Sequence, residues 1–333
     1  MTIAASPSGP IEGPVSPLLR TGLVLRDPLP WHQVSQIVQT AEETGYEAVF
    51  VPEIAAREAF STLAAFTSCT SRVSLGTGVV TVQSRTPQST AMAAATVHEL
   101  SGGRLVLGIG AGTAARPLET VESYVRVVKA LLRGETVSDS AFAIDQFTLG
   151  IPLERPPPVW LAALGDRMLR LAGRIADGVV LNWCTPERVA RARALLDAAS
   201  REAGRAPSDV TVAVYVRCCL GVEERVALEA LRPAAGQYAA IPHYRRQMEE
   251  MGFQAESEAA AAAIDAGKPE AVPDRLVRGL TVLGGRREAL ERFDAYHRAG
   301  ADLVLCYPVP AREPFSSILG TAMTAAPEPA VER

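Results

Sequence analysis

The chain of 333 residues has few cysteines and few aromatic residues, the latter making up 5% of the sequence. Its five cysteines include no C-x-x-C pair, so neither a disulfide framework nor a zinc site of the usual spacing is expected. Reduced thiols of this kind are typical of a cytoplasmic protein. The sequence also lacks an apolar run of the roughly 18 to 20 residues that a membrane-spanning helix needs.

Neither sign of charge dominates the sequence. The net charge is −4, and basic and acidic residues are interspersed without a basic stripe or a polybasic cluster. Nucleic acid and membrane surfaces are therefore not expected as partners, whereas a small-molecule substrate is. The motifs G-x-S-x-G and H-E-x-x-H and the P-loop are absent. This removes the main support for an α/β-hydrolase, a zinc protease or a P-loop NTPase.

The composition of the two ends differs from that of the rest. Residues 1–17 are rich in Pro, Ser and Gly and lack the basic and apolar segments of a signal peptide, so they are predicted to form a disordered tail. Residues 326–333 are predicted to form a flexible C-terminal tail. Residues 18–325 are predicted to form a single domain, because α/β barrels often have this length.

Short apolar runs alternate with amphipathic stretches over this domain. The predicted strands are 22–26, 48–51, 73–79, 105–109, 159–162, 178–181, 210–218 and 303–306. The predicted helices are 31–44, 59–69, 87–100, 118–132, 167–175, 186–203, 223–238 and 286–299. Continuous Val, Leu and Ile runs are typical of parallel strands buried on both faces. Eight such strands alternating with helices predict an α/β fold, the (β/α)8 TIM barrel.

Two segments exceed the minimal strand and helix repeat. Residues 134–158 contain a run of three prolines and are predicted as an excursion between strands four and five. Residues 239–285 are predicted as a helical insertion between strands seven and eight. Insertions of this kind often build a substrate pocket or a lid, and a spacer or a dimer surface is equally compatible with the sequence.

Small residues stand where three of the predicted strands end. They are Thr77, Gly78 and Val79 after strand three, Gly110, Ala111, Gly112 and Thr113 after strand four, and Ala162, Ala163, Leu164 and Gly165 after strand five. At the C-terminal end of a barrel strand, glycines let a flat or phosphorylated ligand approach the backbone, and tight turns explain them equally well. The turn after strand five opens a helix whose free N–H groups favour an anion, although capping by Asp166 is an alternative.

Four polar residues lie close to the predicted barrel mouth. Glu53 follows strand two, where it is either an acid/base group or a solvated loop glutamate. Arg85 follows strand three and Asn182 ends strand six, and each also has a structural interpretation as a surface cation or a packing residue. His32 begins the first helix and is the best placed of the four histidines for catalysis. No spacing of ligand residues indicates a metal site.

Blocks of sequence in a fixed order resemble the luciferase-like monooxygenase superfamily. They are REAF (57–60), LGTGV (75–79), SRTP (84–87), ELSGGR (99–104), LGIG (107–110) and LAGRIADG (171–178). The likeness extends over roughly residues 20 to 310. It is greatest to the branch that uses the deazaflavin coenzyme F420, which includes methylene-tetrahydromethanopterin reductase.

The resemblance implies that F420 binds at the C-terminal mouth of the barrel. In similar enzymes a non-proline cis peptide after strand three backs the deazaflavin ring, and the matching bond here is Gly78–Val79. The residues then expected to bind the cofactor are Thr77, Gly78, Val79, Arg85, Gly110, Ala111, Gly112, Thr113, Ala162, Ala163, Leu164 and Gly165. Glu53, His32 and Asn182 are the expected catalytic residues. Family members are commonly homodimers, so a homodimer is expected as well.

Two departures from the family pattern limit what the resemblance implies. Several members carry Asp-His after strand two, where this chain has Glu53-Ile54, so a mechanism that needs that histidine does not transfer. The sugar-phosphate dehydrogenase branch has a glutamate after strand four, where this chain has Thr113. A sugar phosphate is therefore not the expected substrate.

The resemblance implies hydride transfer between F420 and a small organic substrate, such as reduction of an activated C=C or C=N bond. Glu53 would then hold the cofactor or relay a proton, and His32 or Tyr307 would donate one. A monooxygenase that uses reduced FMN from a partner reductase is the alternative on the same barrel. A third possibility is a redox-inactive barrel acting as a binding subunit, against which the intact glycines of strands three and four argue.

Overall fold

The computed structural model describes residues 20–26 and 28–327. The predicted N-terminal tail, 1–17, lies outside the described residues, as do residues 328–333 of the predicted C-terminal tail. Ala326, the first residue of that tail, is 7% exposed, and its carbonyl accepts a hydrogen bond of 2.7 Å from Arg286 Nη1. The packed part of the chain therefore reaches at least to this residue.

Eight parallel strands close into a barrel, which confirms the predicted fold class. In chain order, the strands of the described residues are β1 (Thr21–Val24), β2 (Ala48–Val51), β3 (Ser74–Thr77), β4 (Val80–Thr81), β5 (Leu105–Gly110), β6 (Val137–Asp139), β7 (Ile144–Phe147), β8 (Val159–Ala162), β9 (Gly178–Asn182), β10 (Thr211–Leu220), β11 (Thr281–Gly284) and β12 (Leu303–Pro308). The barrel order is β1, β2, β3, β5, β8, β9, β10 and β12, and β12 pairs with β1 to close the ring.

The remaining four strands were not distinguished by the sequence. The predicted strand 73–79 is interrupted at Gly78 and Val79, and the short β4 beyond the interruption pairs with β5. β6 and β7 form an antiparallel hairpin within the predicted excursion 134–158. β11 lies within the predicted helical insertion and pairs with the C-terminal half of β10, from Arg217 to Leu220. Strand β10 can accept this extra neighbour because it extends beyond the barrel.

Helices surround the barrel on the outside. In chain order they are α1 (Trp31–Glu43), α2 (Ala59–Phe66), α3 (Pro87–Leu100), α4 (Pro117–Leu132), α5 (Asp166–Ile175), α6 (Pro186–Glu202), α7 (Glu224–Ala239), α8 (Pro242–Glu250), α9 (Gln254–Asp265), α10 (Asp274–Leu280), α11 (Arg286–Arg298) and α12 (Pro314–Thr324). No helix among these is long and apolar enough to cross a bilayer.

The last helix of the barrel lies elsewhere than predicted. The eight predicted helices include both 223–238 and 286–299, although both precede strand eight. The structure adds α12 after β12, and α12 completes the eighth strand and helix unit. Segment 239–285 contains α8, α9 and α10 in addition to β11.

Local sequence explains where the helices begin and which face they bury. Val34, Ile37 and Val38 of α1 lie at helical spacing and are fully buried. Thr86 caps α3 by accepting a hydrogen bond from the Ser89 amide at 3.2 Å, and the first residue of that helix is proline. These signals place each helix on the outside of the strand before it.

The interior of the barrel has a core of its own. Alternate residues of the strands point inward, and they include Phe50, Trp160, Tyr215, Leu305 and Tyr307, all at least nine-tenths buried. A larger apolar core lies between the sheet and the helices, and a third one holds the insertion. The inward aromatic side chains at the C-terminal ends of β10 and β12 form part of the wall of the cavity described next.

Candidate active site

A cavity of about 680 Å³ opens at the C-terminal ends of the barrel strands. It is lined by Pro52, Glu53, Ile54, Gly78, Val79, Thr81, Gly110, Ala111, Gly112, Thr113, Ala114, Pro117, Ala162, Ala163, Leu164, Gly165, Met168, Val180, Asn182, Tyr215, Arg217, Tyr238, His243, Tyr244 and Tyr307. The volume falls within the range of small-molecule and cofactor sites. Ten of the twelve residues expected to bind a cofactor line it, as do Glu53 and Asn182.

The β3 and β5 side of the cavity presents backbone rather than side chains, and we call it the backbone wall (Gly78, Val79 and Gly110–Thr113). The Gly78–Val79 peptide is cis, as the family resemblance implied. A Cβ atom on Gly78 would lie 1.9 Å from the hydroxyl oxygen of Tyr215, and one on Gly110 would lie 2.6 Å from Val79 Cγ2. Neighbouring side chains therefore require glycine at both positions, which keeps this wall flat.

Thr77 does not reach the cavity, contrary to the prediction that it binds the cofactor. Its side chain is fully buried, and its hydroxyl both donates to the Gly108 carbonyl and accepts from the Gly108 amide, each at 2.8 Å. Thr77 thus links β3 to β5 beneath the backbone wall. Its role is to position the wall.

Glu53 lines the cavity with a carboxylate that is already engaged by the protein. Arg85 donates from Nε to Oε1 at 3.1 Å and from Nη2 to Oε2 at 2.9 Å, and the Ala59 amide donates to Oε2 at 3.0 Å. Arg85 also pairs with Glu58, and its hydrogen bond to Glu53 raises the pKa of Arg85. Arg85 itself does not line the cavity, so it acts by fixing Glu53.

The N-terminus of α5 faces the cavity through Leu164 and Gly165. No side chain caps this helix, so its first amides keep their capacity for an anion. Burial acts to raise the pKa of Asp166, but hydrogen bonds from Arg191 and Arg188 outweigh it and lower that pKa. Asp166 is therefore a partner of two arginines and does not cap the helix.

The opposite side of the cavity is built from large polar and aromatic side chains, and we call it the side-chain wall (Asn182, Tyr215, Arg217, Tyr238, His243, Tyr244 and Tyr307). Asn182 connects two of them, because its Nδ2 donates to the Tyr244 hydroxyl at 2.8 Å and its Oδ1 accepts from Arg217 Nη1. The Tyr215 hydroxyl donates to the Gly78 carbonyl at 3.0 Å and so joins the two walls.

Burial controls the protonation of the side-chain wall. It raises the pKa of Tyr244 to about 12 and raises the pKa of Tyr215 and that of Tyr307 as well, so all three are phenols at neutral pH. Nearby Arg217 opposes this effect on Tyr307. Burial lowers the pKa of His243, which favours its neutral imidazole.

His32 is not brought to the cavity, contrary to the prediction that it is catalytic. It lies in the first turn of α1 on the solvent-exposed side, because Val34, Ile37 and Val38 occupy the face that packs on the barrel. His32 is exposed and is not among the residues that line the cavity.

Four lining residues are absent from the predicted site: Arg217, Tyr238, His243 and Tyr244. Arg217 interrupts a largely apolar strand that is buried at every residue after Thr211, and a lone arginine in such a run is a usable signal for a site. The other three lie on α7 and α8, and only the folded insertion brings them over the barrel mouth. Over the described part of the chain, no cluster of His, Cys, Asp and Glu could hold a metal ion.

Two proteins similar in sequence are reductases of the same name. A 5,10-methylenetetrahydromethanopterin reductase of Archaeoglobus fulgidus is 25% identical over 311 residues, which cover 86% of this chain and 92% of that protein. The reductase of the same name from Methanolobus tindarius is 29% identical over 207 residues, covering 59% of this chain and 63% of that protein, less than two thirds of its length.

A solved structure supports the same fold. The coenzyme F420-dependent tetrahydromethanopterin reductase of Methanopyrus kandleri superposes with a TM-score of 0.79 at 20% identity, over 92% of this chain and 97% of that one. Barrel, cavity and relatives together define the class, a (β/α)8-barrel oxidoreductase. Residues 18–303 match the family model described as luciferase-like monooxygenase, and the chain belongs to that family.

Proposed function

We propose that the protein is an F420H2-dependent oxidoreductase that reduces an activated C=C or C=N bond of a small organic substrate. The observation that carries this proposal is the contrast within the cavity, where a flat backbone wall faces a wall of polar and aromatic side chains. Such a slot suits a planar ring on one side and a reacting substrate on the other. A putative coenzyme F420-dependent oxidoreductase of Mycobacterium tuberculosis, 24% identical over 315 residues that cover 81% of this chain and 89% of that protein, favours F420 as the ring.

The residues present fit the parts of this cofactor. Gly78 and Gly110, which have no side chains, and the small Val79 between them offer a surface to a deazaflavin ring. The uncapped amides of α5 suit the phosphodiester of its tail. Arg116 and Arg167 are exposed and adjoin lining residues in the chain, so they suit the carboxylates at the end of the tail.

When bound, reduced F420 supplies a hydride, which one atom of the substrate double bond accepts. The chain supplies placement and a proton. Glu53, fixed by Arg85, presents a carboxylate to the cavity beside the backbone wall. Tyr307 holds a proton at its hydroxyl oxygen for the second atom of the double bond, and the nearby Arg217 favours its release.

Titration of the purified protein with F420 and with FMN, each oxidised and reduced, tests this proposal. Quenching of deazaflavin fluorescence at low concentration is expected, with FMN binding much more weakly. Gly110→Val should abolish the quenching because the added side chain meets Val79, whereas Gly150→Ala should leave it unchanged because no atom lies within 4 Å of its Cβ position. Binding of neither cofactor by folded protein would contradict the proposal and favour a redox-inactive barrel.

A monooxygenase that uses reduced FMN is the second candidate. The observation that favours it is the position of His243 and Tyr244, because α8 brings both over the cavity and a site for oxygen chemistry needs such a cover. A preference for reduced FMN, with oxygen uptake in the presence of a flavin reductase, would establish this function instead.

A further inference from the structure

Arg217 is a buried cation for which the described residues provide no acidic partner. It is 4% exposed, and its one hydrogen bond to a described residue runs from Nη1 to Asn182 Oδ1. Its Nε and Nη2 donate to no described residue. A buried charge is costly unless it is paired, so a guanidinium in this state is suited to a ligand that supplies the missing charge.

Aromatic rings hold the guanidinium in place. Its central carbon lies 4.4 Å from the ring centre of Tyr307, 4.5 Å from that of Trp183 and 5.1 Å from that of Tyr238. Ring faces attract a cation but offer no acceptor in the plane of its N–H groups. Trp183 has a φ of +53°, a left-handed conformation that is uncommon for a large residue and that occurs beside functional sites.

Arg217 lies between the main cavity and a second one. The second cavity has a volume of about 370 Å³ and shares Arg217, Tyr238 and Tyr307 with the first. Its described lining contains another arginine, Arg26, and no aspartate or glutamate. The main cavity has a carboxylate in Glu53, but Arg85 already engages it. Among the described residues, the positive charge around Arg217 therefore has no acidic partner.

We propose that Arg217 binds a carboxylate of the substrate, so that the enzyme reduces the C=C or C=N bond of substrates that are organic acids. This inference rests on the proposed function and narrows its substrate class. A planar guanidinium with free N–H groups matches a carboxylate, and the pairing is strong where water is excluded. Arg217 belongs to the side-chain wall, opposite the wall assigned to the cofactor, so the group it binds belongs to the second reactant.

Matched acid and amide probes test the proposal on the full chain without cofactor. Benzoate is compared with benzamide and cinnamate with cinnamamide, by isothermal titration calorimetry and by the fluorescence of Trp183, whose ring contacts Arg217. The acids are expected to bind roughly ten- to hundredfold more tightly than the amides. Equal affinity within both pairs, or no binding of either acid, would overturn the proposal.

Substitutions at two positions, with a control at a third, locate the preference for acids. Arg217→Met should abolish the preference for acids, and Arg217→Lys should restore part of it. Asn182→Asp should also abolish it, because a carboxylate would then stand where Asn182 Oδ1 now accepts from Arg217. Arg225→Met removes an exposed charge on α7, 67% accessible, and should leave the preference unchanged. If folded Arg217→Met protein still prefers acids to amides, another cation binds the carboxylate and the proposal is wrong.

Repeating the titrations with F420 bound separates the substrate from the cofactor as the source of the carboxylate. Acid binding that persists beside F420, with unchanged F420 affinity in Arg217→Met, supports the proposal. Competition between acid and F420, or loss of F420 affinity in that variant, would assign Arg217 to the cofactor and overturn it. Failure to bind F420 at all would contradict the proposed function, while the acid preference measured without cofactor would still stand.

Discussion

The two walls of the cavity are built in opposite ways. The backbone wall uses glycine and small residues, and the close approach of Tyr215 and Val79 leaves no space for larger ones. The side-chain wall uses an arginine, an asparagine, a histidine and four tyrosines drawn from β9, β10, β12 and the helices after β10. The backbone wall is defined by the absence of large side chains. The side-chain wall is defined by the polar and aromatic groups that its side chains provide.

This difference suggests a division between the two walls, with cofactor binding on one and substrate recognition on the other. A flat backbone surface accepts a planar ring whatever the substrate, so it suits a cofactor used by a whole family. Charged and hydroxylated side chains in a desolvated site discriminate between substrates, because an unmatched buried group costs binding energy. The four predictions below test this division.

The largest effect is expected at the backbone wall. Gly78→Ala would place a Cβ atom 1.9 Å from the Tyr215 hydroxyl, so the free energy of unfolding should fall by about 1–3 kcal/mol and F420 binding should weaken. Thermal unfolding and the fluorescence titration measure both. Tyr215→Phe in the same chain should recover part of the loss, since it removes the clashing oxygen. An unchanged melting temperature for Gly78→Ala would show that the backbone wall accommodates a larger residue. The proposed difference between the two walls would then be wrong.

A smaller effect is expected where Glu53 is fixed beside that wall. Glu53→Gln leaves the Arg85 guanidinium facing an amide, which should lower the free energy of unfolding by roughly 1–2 kcal/mol and weaken cofactor binding. Glu229→Gln is the control, because the pair it forms with Arg225 is 52–67% exposed and should contribute little. Equal effects of the two substitutions in chemical denaturation would argue against a role for Glu53.

The side-chain wall should respond without disturbing the cofactor. Tyr244→Phe removes the acceptor of the Asn182 amide at 2.8 Å, with an expected loss of about 0.5–1.5 kcal/mol in unfolding free energy. Asn182 then orients Arg217 less firmly, so the acid probes should bind a few times more weakly while the affinity for F420 stays the same. A weakened F420 affinity in this variant would show that the walls do not act separately.

The last effect appears only at alkaline pH. The pKa of Tyr244 in the folded protein is about 12, above its ordinary value of 10.0, because the side chain is buried. Its stabilising contribution is therefore complete below pH 10 and is lost as the pH rises towards 12. Tyr244→Phe should make the decline of stability over this range less steep, as measured by chemical denaturation at several pH values. An equally steep decline would place the ionisation elsewhere.

Parts of the fold and site were predictable because they depend on local pattern. Continuous apolar runs indicated the eight barrel strands, and the glycine positions indicated the backbone wall, since both are properties of neighbouring residues. Thr77 and His32 are predicted site residues that do not line the cavity, and each has a physical reason. Thr77 satisfies its hydroxyl on the next strand, and His32 lies on the exposed face of an amphipathic helix. The sequence pattern alone distinguishes neither case from a residue that faces the cavity.

By itself, the sequence determined the class of fold and the glycine positions of the backbone wall, because hydrophobic period and glycine spacing act over a few residues. Only the tertiary structure decided the side-chain wall. Asn182, Arg217 and Tyr244 come from three separate elements, and they meet because the barrel closes and the insertion folds back over its mouth. The charge left unmatched at Arg217 is a property of that closure, since burial and the absence of an acidic neighbour among the described residues exist only once the chain has folded.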